Sequence, residues 1–345
     1  MTTTRIPLGI FHEHPDWFRP LFAELDRRGV PYARIDAARH GFDPARQAAD
    51  HDVVFNRMSP SAYLRGGERA IAYTGEYLAH VEGCGTRVIN GVHAWRTEIS
   101  KARQIALLAG LGLPHPRTRV CNDALMLPEL AVGLRYPVIV KPNVGGSGAG
   151  VRRFDSPDGL EAEAASIDAG VDGTLLVQEC IPAESQRIVR VEVLDAAYLY
   201  AIRIYTPGDS FNLCPADVCQ RVDGAELVRA ACAIDAPKNG LRVEAYEPPA
   251  DVIAEVEAIM RAAGIEIGGV EYFIDARDGE RLYYDINALS NFVADGPAVL
   301  GFDPFARLAD WLEAELAGAA ARPPTGYEPP APRRREPHPL QKEVV

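Results

Sequence analysis

The segment from residue 136 to residue 150, YPVIVKPNVGGSGAG, constrains the fold of this chain more than any other. Its β-branched run, Val138 to Val140, predicts a buried strand, and the Lys141-Pro142 pair that follows ends regular strand pairing. A loop with four glycines comes next. Glycines accept positive φ angles and let main-chain N–H groups gather around an anion. A lysine at a strand end beside such a loop therefore predicts a polyphosphate site.

Two common phosphate-binding motifs do not match this segment. In a Walker loop the lysine follows the glycines and precedes a serine or threonine, whereas Lys141 comes before the glycines. No helix plainly opens inside the loop, as a dinucleotide-binding motif requires. The alternative interpretation is a mobile glycine hairpin without a ligand, and the segment alone leaves both open.

The composition is that of a globular protein and excludes several classes. The 345 residues are 47% hydrophobic and 24% charged, enough for two or three domains. The net charge of -12 argues against nucleic-acid and membrane-surface partners. No apolar run approaches the roughly 20 residues of a membrane span, and the first residues lack the apolar core of a signal peptide. Six cysteines without a CxxC pair predict a reduced, cytoplasmic setting.

The pattern of apolar residues divides the chain into three folded regions and a tail. Residues 6 to about 95 alternate strands with helices, which predicts a small wound parallel sheet. A helix from Thr97 to Gly110 and strands at 136–141 and 174–181 follow, with a helix starting at Ser156-Pro157 between the two strands. The third region is rich in strands and carries two helices, near 251–263 and 303–317. From Arg322 the chain is proline-rich, which predicts a disordered tail.

The predicted elements of the first and third regions are these. In the first, strands are expected at Ile6–Phe11, Val53–Phe55 and Arg87–Ile89, and helices from Asp16, as N-cap, to Arg28 and from Arg65 to Val81. In the third, strands are expected at Val189–Leu194, Tyr198–Tyr205, Gly269–Ile274 and Leu282–Ile286.

Polar residues at the ends of these strands suggest a nucleotide site. Lys101 lies on the helix before the glycine strand, and Gln178-Glu179 ends the strand at 174–181. The extended segment that follows can offer main-chain groups to a purine edge. A carboxylate there can accept from an exocyclic amine, and Glu184 can hold ribose hydroxyls. The alternative is a lysine on a solvated helix face and a strand end with solvent-facing acids.

A second set of polar residues indicates a binding site for a divalent metal ion. Asp285 and Asn287 point to the same face of one strand, and Glu271 joins them if the two strands pair. Two carboxylates and an amide oxygen suit Mg²⁺ that bridges phosphates. Arg190 and Arg203, on the strands between, are expected to converge on a γ-phosphate. Cross-strand polar pairs and ordinary ion pairing remain the alternatives.

With these residues in this order, the chain resembles the ATP-grasp superfamily. The resemblance covers about residues 97–316 and extends to the small α/β unit before them. Within the superfamily the chain looks most like the RimK-type and glutathione-synthetase-type ligases, with D-alanine ligases more distant. The resemblance implies a mixed α/β and α+β architecture in which two α+β subdomains clamp ATP. The implied domains are 1–95 (wound α/β), 96–178 (central, with the glycine loop), 179–320 (C-terminal, with the metal site) and 321–345 (tail).

The resemblance also implies roles for individual residues. ATP and two magnesium ions, with manganese as a substitute, would be bound, and Arg190 and Arg203 would act on the transferred phosphoryl group. The residues implied for ATP are Lys101, Lys141, Gly145, Gly146, Ser147, Gly148, Gln178, Glu179, Cys180, Ile181 and Glu184, and those for metal are Glu271, Asp285 and Asn287.

The sequence departs from the family pattern around the metal site. Asp285 stands where relatives usually have Glu, and Glu271 stands where they usually have Asp. Both positions therefore keep a carboxylate, on a side chain that differs in length by one methylene group. After Asn287, Ala288 to Phe292 replaces the small residue and Pro-Gly of many relatives. Because that segment often lines the acceptor pocket, the acceptor cannot be carried over from the family.

The implied reaction joins a carboxylate to an amine through an acylphosphate. Small-molecule or peptide substrates are expected, without nucleic acid or membrane, in a possible homodimer or homotetramer. Two rival functions remain: a small-molecule kinase on the same fold, and a non-catalytic ATP-binding scaffold. We also expect 211–219 to form a substrate loop, and Arg57 is one candidate for holding a substrate carboxylate.

Overall fold

A computed structural model describes residues 6–48, 50–146, 148–205 and 242–321. These described residues form three sheets, each with its own helices. Ser147, the expected loop at 211–219 and the proline-rich tail lie outside the described residues. Within the described ranges, no helix combines the length and apolar character needed to cross a bilayer.

The first sheet is wholly parallel, in the order β2-β1-β3-β4, which confirms the expected wound unit. Its elements are β1 (Leu8–His12), α1 (Arg19–Arg28), β2 (Tyr32–Asp36), β3 (Val53–Asn56), α2 (Glu68–Gly83) and β4 (Arg87–Ile89). Strand β2 was not predicted because it sits at the sheet edge and only Ile35 in it is buried. An edge strand of this kind lacks the alternation that identifies a half-buried strand.

The start of α1 corrects one expectation. Asp16 does not cap α1; it lies in a 3₁₀ turn, Pro15–Phe18, and its carboxylate accepts from Arg19 at 2.6 Å. The α-helix begins at Arg19 and ends at Arg28, and Gly29 caps it with a φ of 69°, which suits glycine.

The second sheet has the order β5-β8-β6-β7 and is antiparallel. Its strands are β5 (Thr118–Cys121), β6 (Val138–Pro142), β7 (Arg152–Phe154) and β8 (Leu175–Glu179), and its helices are α5 (Leu127–Leu130) and α6 (Pro157–Glu163). Ser156 caps α6 by accepting from the Gly159 N–H, as its position before proline predicted. The face of the sheet that packs on these helices carries Val138, Val140, Leu175 and Val177. The alternate residues of β6 and β8 therefore point to the other face.

The third sheet is antiparallel, in the order β11-β10-β9-β12-β13. Its strands are β9 (Arg187–Leu194), β10 (Ala197–Tyr205), β11 (Arg242–Tyr246), β12 (Ile267–Ile274) and β13 (Arg281–Asn287), and the helices around it are α7 (Ala250–Ala263), α8 (Gly296–Leu300) and α9 (Pro304–Ala321). One face packs on α7 through Val189, Val191 and Val270. The opposite face of the third sheet carries Ile188, Ile202 and Ile204, which pack in the core of the first sheet.

The predicted helix from Thr97 to Gly110 is two helices. They are α3 (Val92–Glu98) and α4 (Lys101–Gly110). Ser100 separates them with extended backbone and caps α4 by accepting from the Arg103 N–H at 3.2 Å. Lys101 is therefore the first residue of a helix, and its main-chain N–H bonds to Asn143, the residue after β6.

A buried asparagine joins the first sheet to the third. Asn90 follows β4 and donates its side-chain N–H to Ile267 O at 2.6 Å and to Ala288 O at 2.9 Å. Its side-chain oxygen accepts from the Glu266 N–H at 2.8 Å. Arg87 adds ion pairs to Glu266 and Glu315. The first and third sheets thus share one interface that contains fully hydrogen-bonded polar groups.

Candidate active site

The start of α4 and the end of β6 are held together by Asn143. The Lys101 N–H donates to Asn143 O at 3.2 Å. The side-chain oxygen of Asn143 accepts from Ser100 Oγ at 3.2 Å and from the Ala102 N–H at 2.9 Å. Because Asn143 comes two residues after Lys141, these bonds bring the two lysines of the second region next to each other.

Lys141 lies on the open face of the second sheet. Register pairs Ile139 with Gln178, so Lys141 and Gln178 share that face. Lys141 Nζ donates to Gln178 Oε1 at 3.0 Å, and Gln178 Nε2 donates to Thr118 Oγ1 at 2.8 Å. Burial, and secondarily the nearby Lys101 ammonium, lowers the Lys141 pKa to about 7. An ammonium group that is partly desolvated and hydrogen-bonded to a neutral amide is stabilised strongly by a polyanion.

Opposite these lysines, three charged residues form a row across the third sheet. Register pairs Arg190 with Glu271 and Glu271 with Asp285, on one face of β9, β12 and β13. Arg190 Nη1 donates to Glu271 Oε1 at 2.9 Å, and Arg190 Nε donates to Glu192 at 2.5 Å. Lys101 Nζ forms an ion pair with Asp285 Oδ1. The row therefore meets the lysine pair directly, through Lys101.

The oxygen atoms at the end of this row fit a hard divalent cation. Glu271 and Asp285 face each other across the strands, and Asn287 donates to Asp285 Oδ2 at 3.1 Å, which leaves its amide oxygen as a further ligand. Carboxylate and amide oxygens are the donors that Mg²⁺ prefers. Lys101 and Arg190 balance the charge of the two carboxylates.

Arg203 does not join Arg190, and the expectation that both converge on one site is contradicted. Register pairs Ile202 with Arg190 and Arg203 with Val189. Since successive residues of a strand point to opposite faces, Arg203 lies on the face that carries Val189, away from Glu271 and Asp285. Its guanidinium stacks on Tyr246, with 3.7 Å from Cζ to the ring centroid.

Glu179 is placed differently from its expected role. It pairs with Val138 and shares the helix-covered face. Its carboxylate, 1% exposed, accepts from Arg117 at 3.2 Å and from the Arg135 N–H at 2.9 Å. That carboxylate is therefore not placed to accept from an adenine amine.

The main chain beyond Glu179 partly fits the expected adenine edge. The Cys180 N–H donates to Pro137 O at 2.9 Å. Within the described parts of the chain, the Ile181 main-chain groups make no hydrogen bond. Glu184, about half exposed, pairs with Arg187 at 2.7 Å.

The glycine loop packs against the first region. A Cβ added to Gly146 would lie 3.2 Å from the Cβ of Ser61, and one added to Gly145 would lie 3.7 Å from Tyr63 Oη. Gly148 has a φ of 68°, where a side chain is strained. Gly145 and Gly146 thus lie against the 3₁₀ turn Pro60–Arg65 that follows β3.

Two aromatic residues that sequence reasoning missed lie beside the carboxylate row. Phe273 follows Glu271 by two residues on the same face, and Tyr284 Oη donates to Glu271 Oε2. Their rings pack with centroids 5.2 Å apart. The alternation of side chains along β12 places Phe273 on the face of Glu271, so the sequence could have identified it. Tyr284 could not be identified in this way, because the strand register is irregular beside Glu271.

The segment after Asn287 is held from two sides. Arg57, 2% exposed, donates to Ser290 O and, at 3.2 Å, to Asn291 Oδ1. The buried Glu98 carboxylate accepts from the Ala288 N–H. Arg57 thus contacts the segment expected to line the acceptor pocket.

Comparison with known proteins agrees with this geometry. No protein-family model matches the chain. D-alanine–D-alanine ligases from Halorhodospira halophila and Xylella fastidiosa are 29% and 33% identical to it over 191 and 197 residues, or 50% and 56% of this chain. The chain spans 58% and 61% of the length of these relatives.

Solved structures match over nearly the whole chain. The ATP-grasp ligase PsnB, complexed with a minimal precursor, has a TM-score of 0.60 at 23% identity and covers 90% of this chain and 99% of its own. A RimK domain protein from Sphaerobacter thermophilus has a TM-score of 0.61 at 20% identity, over 88% and 98% of the two chains. The chain therefore has the ATP-grasp fold of these solved structures, and its sequence is similar to that of D-alanine–D-alanine ligases.

Proposed function

We propose that this protein is an ATP- and Mg²⁺-dependent carboxylate–amine ligase. The observation that carries the proposal is the meeting of Lys101 and Lys141 with the row of Asp285, Glu271 and Arg190 between two sheets. Cations on one side and oxygen ligands on the other match the needs of a metal-bound triphosphate. The similarity to D-alanine–D-alanine ligases supports the ligase class.

In this proposal ATP lies between the second and third sheets. Lys101 and Lys141 bind phosphate oxygens, and N–H groups of the loop around Gly145, Gly146 and Gly148 cover them. The main chain at Cys180 and Ile181 meets the adenine edge, with Gln178 beside it. Phe273 and Tyr284 supply an apolar platform for the ring, and Glu184 lies near the ribose.

Glu271, Asp285 and Asn287 would hold the magnesium. Bound there, the metal would neutralise phosphate charge and orient the γ-phosphoryl group. Lys101 would then leave Asp285 and bind the phosphates, because a metal ion bound to Asp285 would replace the positive charge of Lys101 in that ion pair. Arg190, fixed by Glu192, keeps Glu271 in place.

The proposed chemistry has two displacements. A substrate carboxylate oxygen bonds to the γ-phosphorus while the bond to the β–γ bridging oxygen breaks, which gives an acylphosphate and ADP. An amine nitrogen then bonds to the acyl carbon and loses a proton while phosphate leaves. No protein nucleophile is needed, since both steps depend on positioning and charge stabilisation.

The relatives suggest two substrate classes for testing. D-Alanine–D-alanine ligase joins amino acids by its name, and PsnB is complexed with a precursor peptide. Arg57 and Glu98 fix the segment from Ala288 to Phe292 through its main chain. We propose that this segment selects the acceptor.

Hydroxylamine trapping tests the proposal against its rivals. The full chain is incubated with MgATP, pooled amino acids and acidic peptides, and hydroxylamine, and products are read by mass spectrometry. A hydroxamate formed with ADP, and lost in Lys141→Met, is expected for a ligase. A phosphate ester without hydroxamate would identify a kinase, and ATP binding without turnover of any pool would favour a scaffold.

A further inference from the structure

A small cavity on the third sheet is lined by three arginines. It measures about 100 Å³ and lies where α7 begins, over the ends of β9, β10 and β13. Its charged lining residues are Arg187, Arg203 and Arg281. In the part of the chain that the structure describes, no acidic side chain lines it. We call this space the arginine cavity.

The three guanidinium groups are mostly buried. The side chains of Arg187 and Arg203 are each 29% exposed and that of Arg281 is 24% exposed. Like charges that share a partly desolvated space repel each other unless an anion lies among them. An anion bound among the three guanidinium groups would reduce this repulsion.

The ion pairs of these arginines lie outside the cavity. Arg187 pairs with Glu184, and Arg281 with Asp251 and Glu255. These carboxylates contact guanidinium nitrogens of Arg187 and Arg281, but the carboxylates themselves do not line the cavity. They orient two guanidinium groups while the cavity itself keeps its positive lining.

Arg203 is the least neutralised of the three. Its contact with the Glu244 carboxylate is long, at 3.8 Å. Among the described residues, the buried Nε of Arg203 has no hydrogen-bond partner, and neither has the buried Nε of Arg281. Guanidinium groups bind oxyanions through paired N–H groups, so these donors have the chemistry of an oxyanion site.

The remaining lining residues fit such a ligand. Tyr246 and Tyr272 form an aromatic wall, and Arg203 stacks on Tyr246. Pro249 and Val252 belong to the start of the 14-residue helix α7, whose N-terminal dipole favours negative charge. A space of about 100 Å³ corresponds to about three water molecules, which suits one oxyanion group and is too small for a nucleotide.

The larger cavity of the first region makes a useful contrast. It measures about 350 Å³ and is also lined by three arginines, Arg34, Arg39 and Arg46. Three aspartates line it as well: Asp36, Asp43 and Asp50. Its charges balance internally, whereas the described lining of the arginine cavity is positive only.

We propose that the arginine cavity binds a small oxyanion, a phosphate or a carboxylate group, at a site separate from the nucleotide. Arg187, Arg203 and Arg281 contribute the binding groups. The cavity lies on the sheet face opposite to Glu271 and Asp285, so its ligand is not the triphosphate. Arg187 also contacts Glu184, which connects the cavity to the ribose end of the proposed nucleotide site.

Calorimetry with inorganic phosphate and with acetate tests the proposal and separates the two sources of the oxyanion. Titrations use the full chain carrying Lys141→Met, at constant ionic strength in a buffer without either anion, so that phosphate binding to the proposed nucleotide site is weakened. Saturable heat with at least one probe is expected. Phosphate alone would identify a phosphate site, and acetate alone a carboxylate site.

Variants of the cavity supply the decisive comparison. Adding Arg203→Gln should weaken binding at least tenfold, and Arg203→Lys, which keeps the charge, should weaken it less. Arg261→Gln, an exposed arginine on α7 outside the cavity, should leave binding unchanged. Melting temperatures identify a variant that fails to fold, and Arg281→Gln then replaces it. No saturable heat with either probe, or equal binding in the folded cavity variants, would overturn the proposal, whatever the outcome of the ligase assay.

Discussion

Lys101 donates its main-chain N–H to the carbonyl oxygen of Asn143, at 3.2 Å. This bond places the first turn of α4 against the end of β6, so that two lysines from different elements reach one place. The Asn143 side chain adds bonds to Ser100 and Ala102 and donates to Asp172 Oδ2 at 2.6 Å. One buried asparagine thus determines the spacing of the proposed phosphate contacts.

Asn143→Ala should therefore lower both stability and nucleotide affinity. The change leaves Ser100 and the Ala102 N–H without their partner, which costs about 1–3 kcal/mol for buried groups. We expect a lower melting temperature and a weaker Kd for ATP, measured by thermal denaturation and calorimetry. Asn122→Ala, at an exposed position, is the control. An unchanged Kd in a folded Asn143→Ala protein would contradict the role of this asparagine.

Asp285→Asn and Asn287→Ala test the metal assignment. Each removes an oxygen ligand or its charge, and we expect kcat to fall on the order of 100-fold at ordinary Mg²⁺, because metal stabilisation of transferred phosphate contributes several kcal/mol. Part of the loss in Asn287→Ala should be recovered at high Mg²⁺. Glu280→Gln, on the exposed turn before β13, should keep full activity. Full turnover of either site variant at low Mg²⁺ would remove these residues from the metal site.

Lys141 should make the free protein less stable at lower pH. Burial lowers its pKa from 10.5 to about 7, so between these values the unfolded chain binds a proton that the folded chain lacks. The free energy of unfolding then rises with pH across that window, and the penalty is complete below about pH 7. Lys141→Met should raise the melting temperature most near pH 6 and least near pH 10, as calorimetric scans can show. An increase in melting temperature that is the same at every pH would contradict the lowered pKa of Lys141.

ATP binding should be accompanied by proton uptake at pH 8. At that pH most Lys141 side chains are neutral in the free protein, and a neighbouring triphosphate favours the ammonium form. Titrations in buffers with different ionisation enthalpies would measure an uptake approaching one proton. The uptake should disappear in Lys141→Met, whereas Arg103→Met, an exposed position on α4, should leave it unchanged.

Phe273→Leu should weaken ATP binding without unfolding the protein. The variant keeps apolar bulk but removes the aromatic contact, which is worth about 0.5–1.5 kcal/mol beyond buried area, or a loss of roughly twofold to twelvefold in affinity. The Kd for ATP is the measurement. Phe305→Leu, another half-buried phenylalanine packed against Phe292, should leave that Kd unchanged. Equal effects of the two variants would mean that Phe273 acts only through the fold.

The sequence was most informative where local patterns carry the information. The glycine segment, the parallel first sheet and the strands around Glu271 and Asp285 were predicted within a few residues of β6, β1, β12 and β13. Lys141 could be named because it ends an apolar run, and Glu271 and Asp285 because each is a carboxylate inside an otherwise apolar and aromatic strand. The ATP-grasp fold that their order implied is confirmed by the structural comparisons.

The remaining site features depend on register and long-range contacts. Arg203 and Arg190 were expected together because both lie on neighbouring strands, but the pairing of Arg203 with Val189 turns it to the other face, and a sequence does not contain that register. Glu179 was misread for a similar reason, since Arg117 and Arg135 come from distant positions. Asn143 and Asn90 carry no local motif, because their partners are distant main-chain groups.

The pair of bonds that Asn90 makes to β12 and to Ala288 has a consequence for motion. With the Arg87 ion pairs, it joins the first and third sheets into one packed body. The second sheet connects to that body near its entry and exit, where Pro114 O accepts from the Tyr283 N–H and Pro182 O from the Ala276 N–H. We expect these two points to act as hinges, so that nucleotide enters and leaves when the second sheet swings alone.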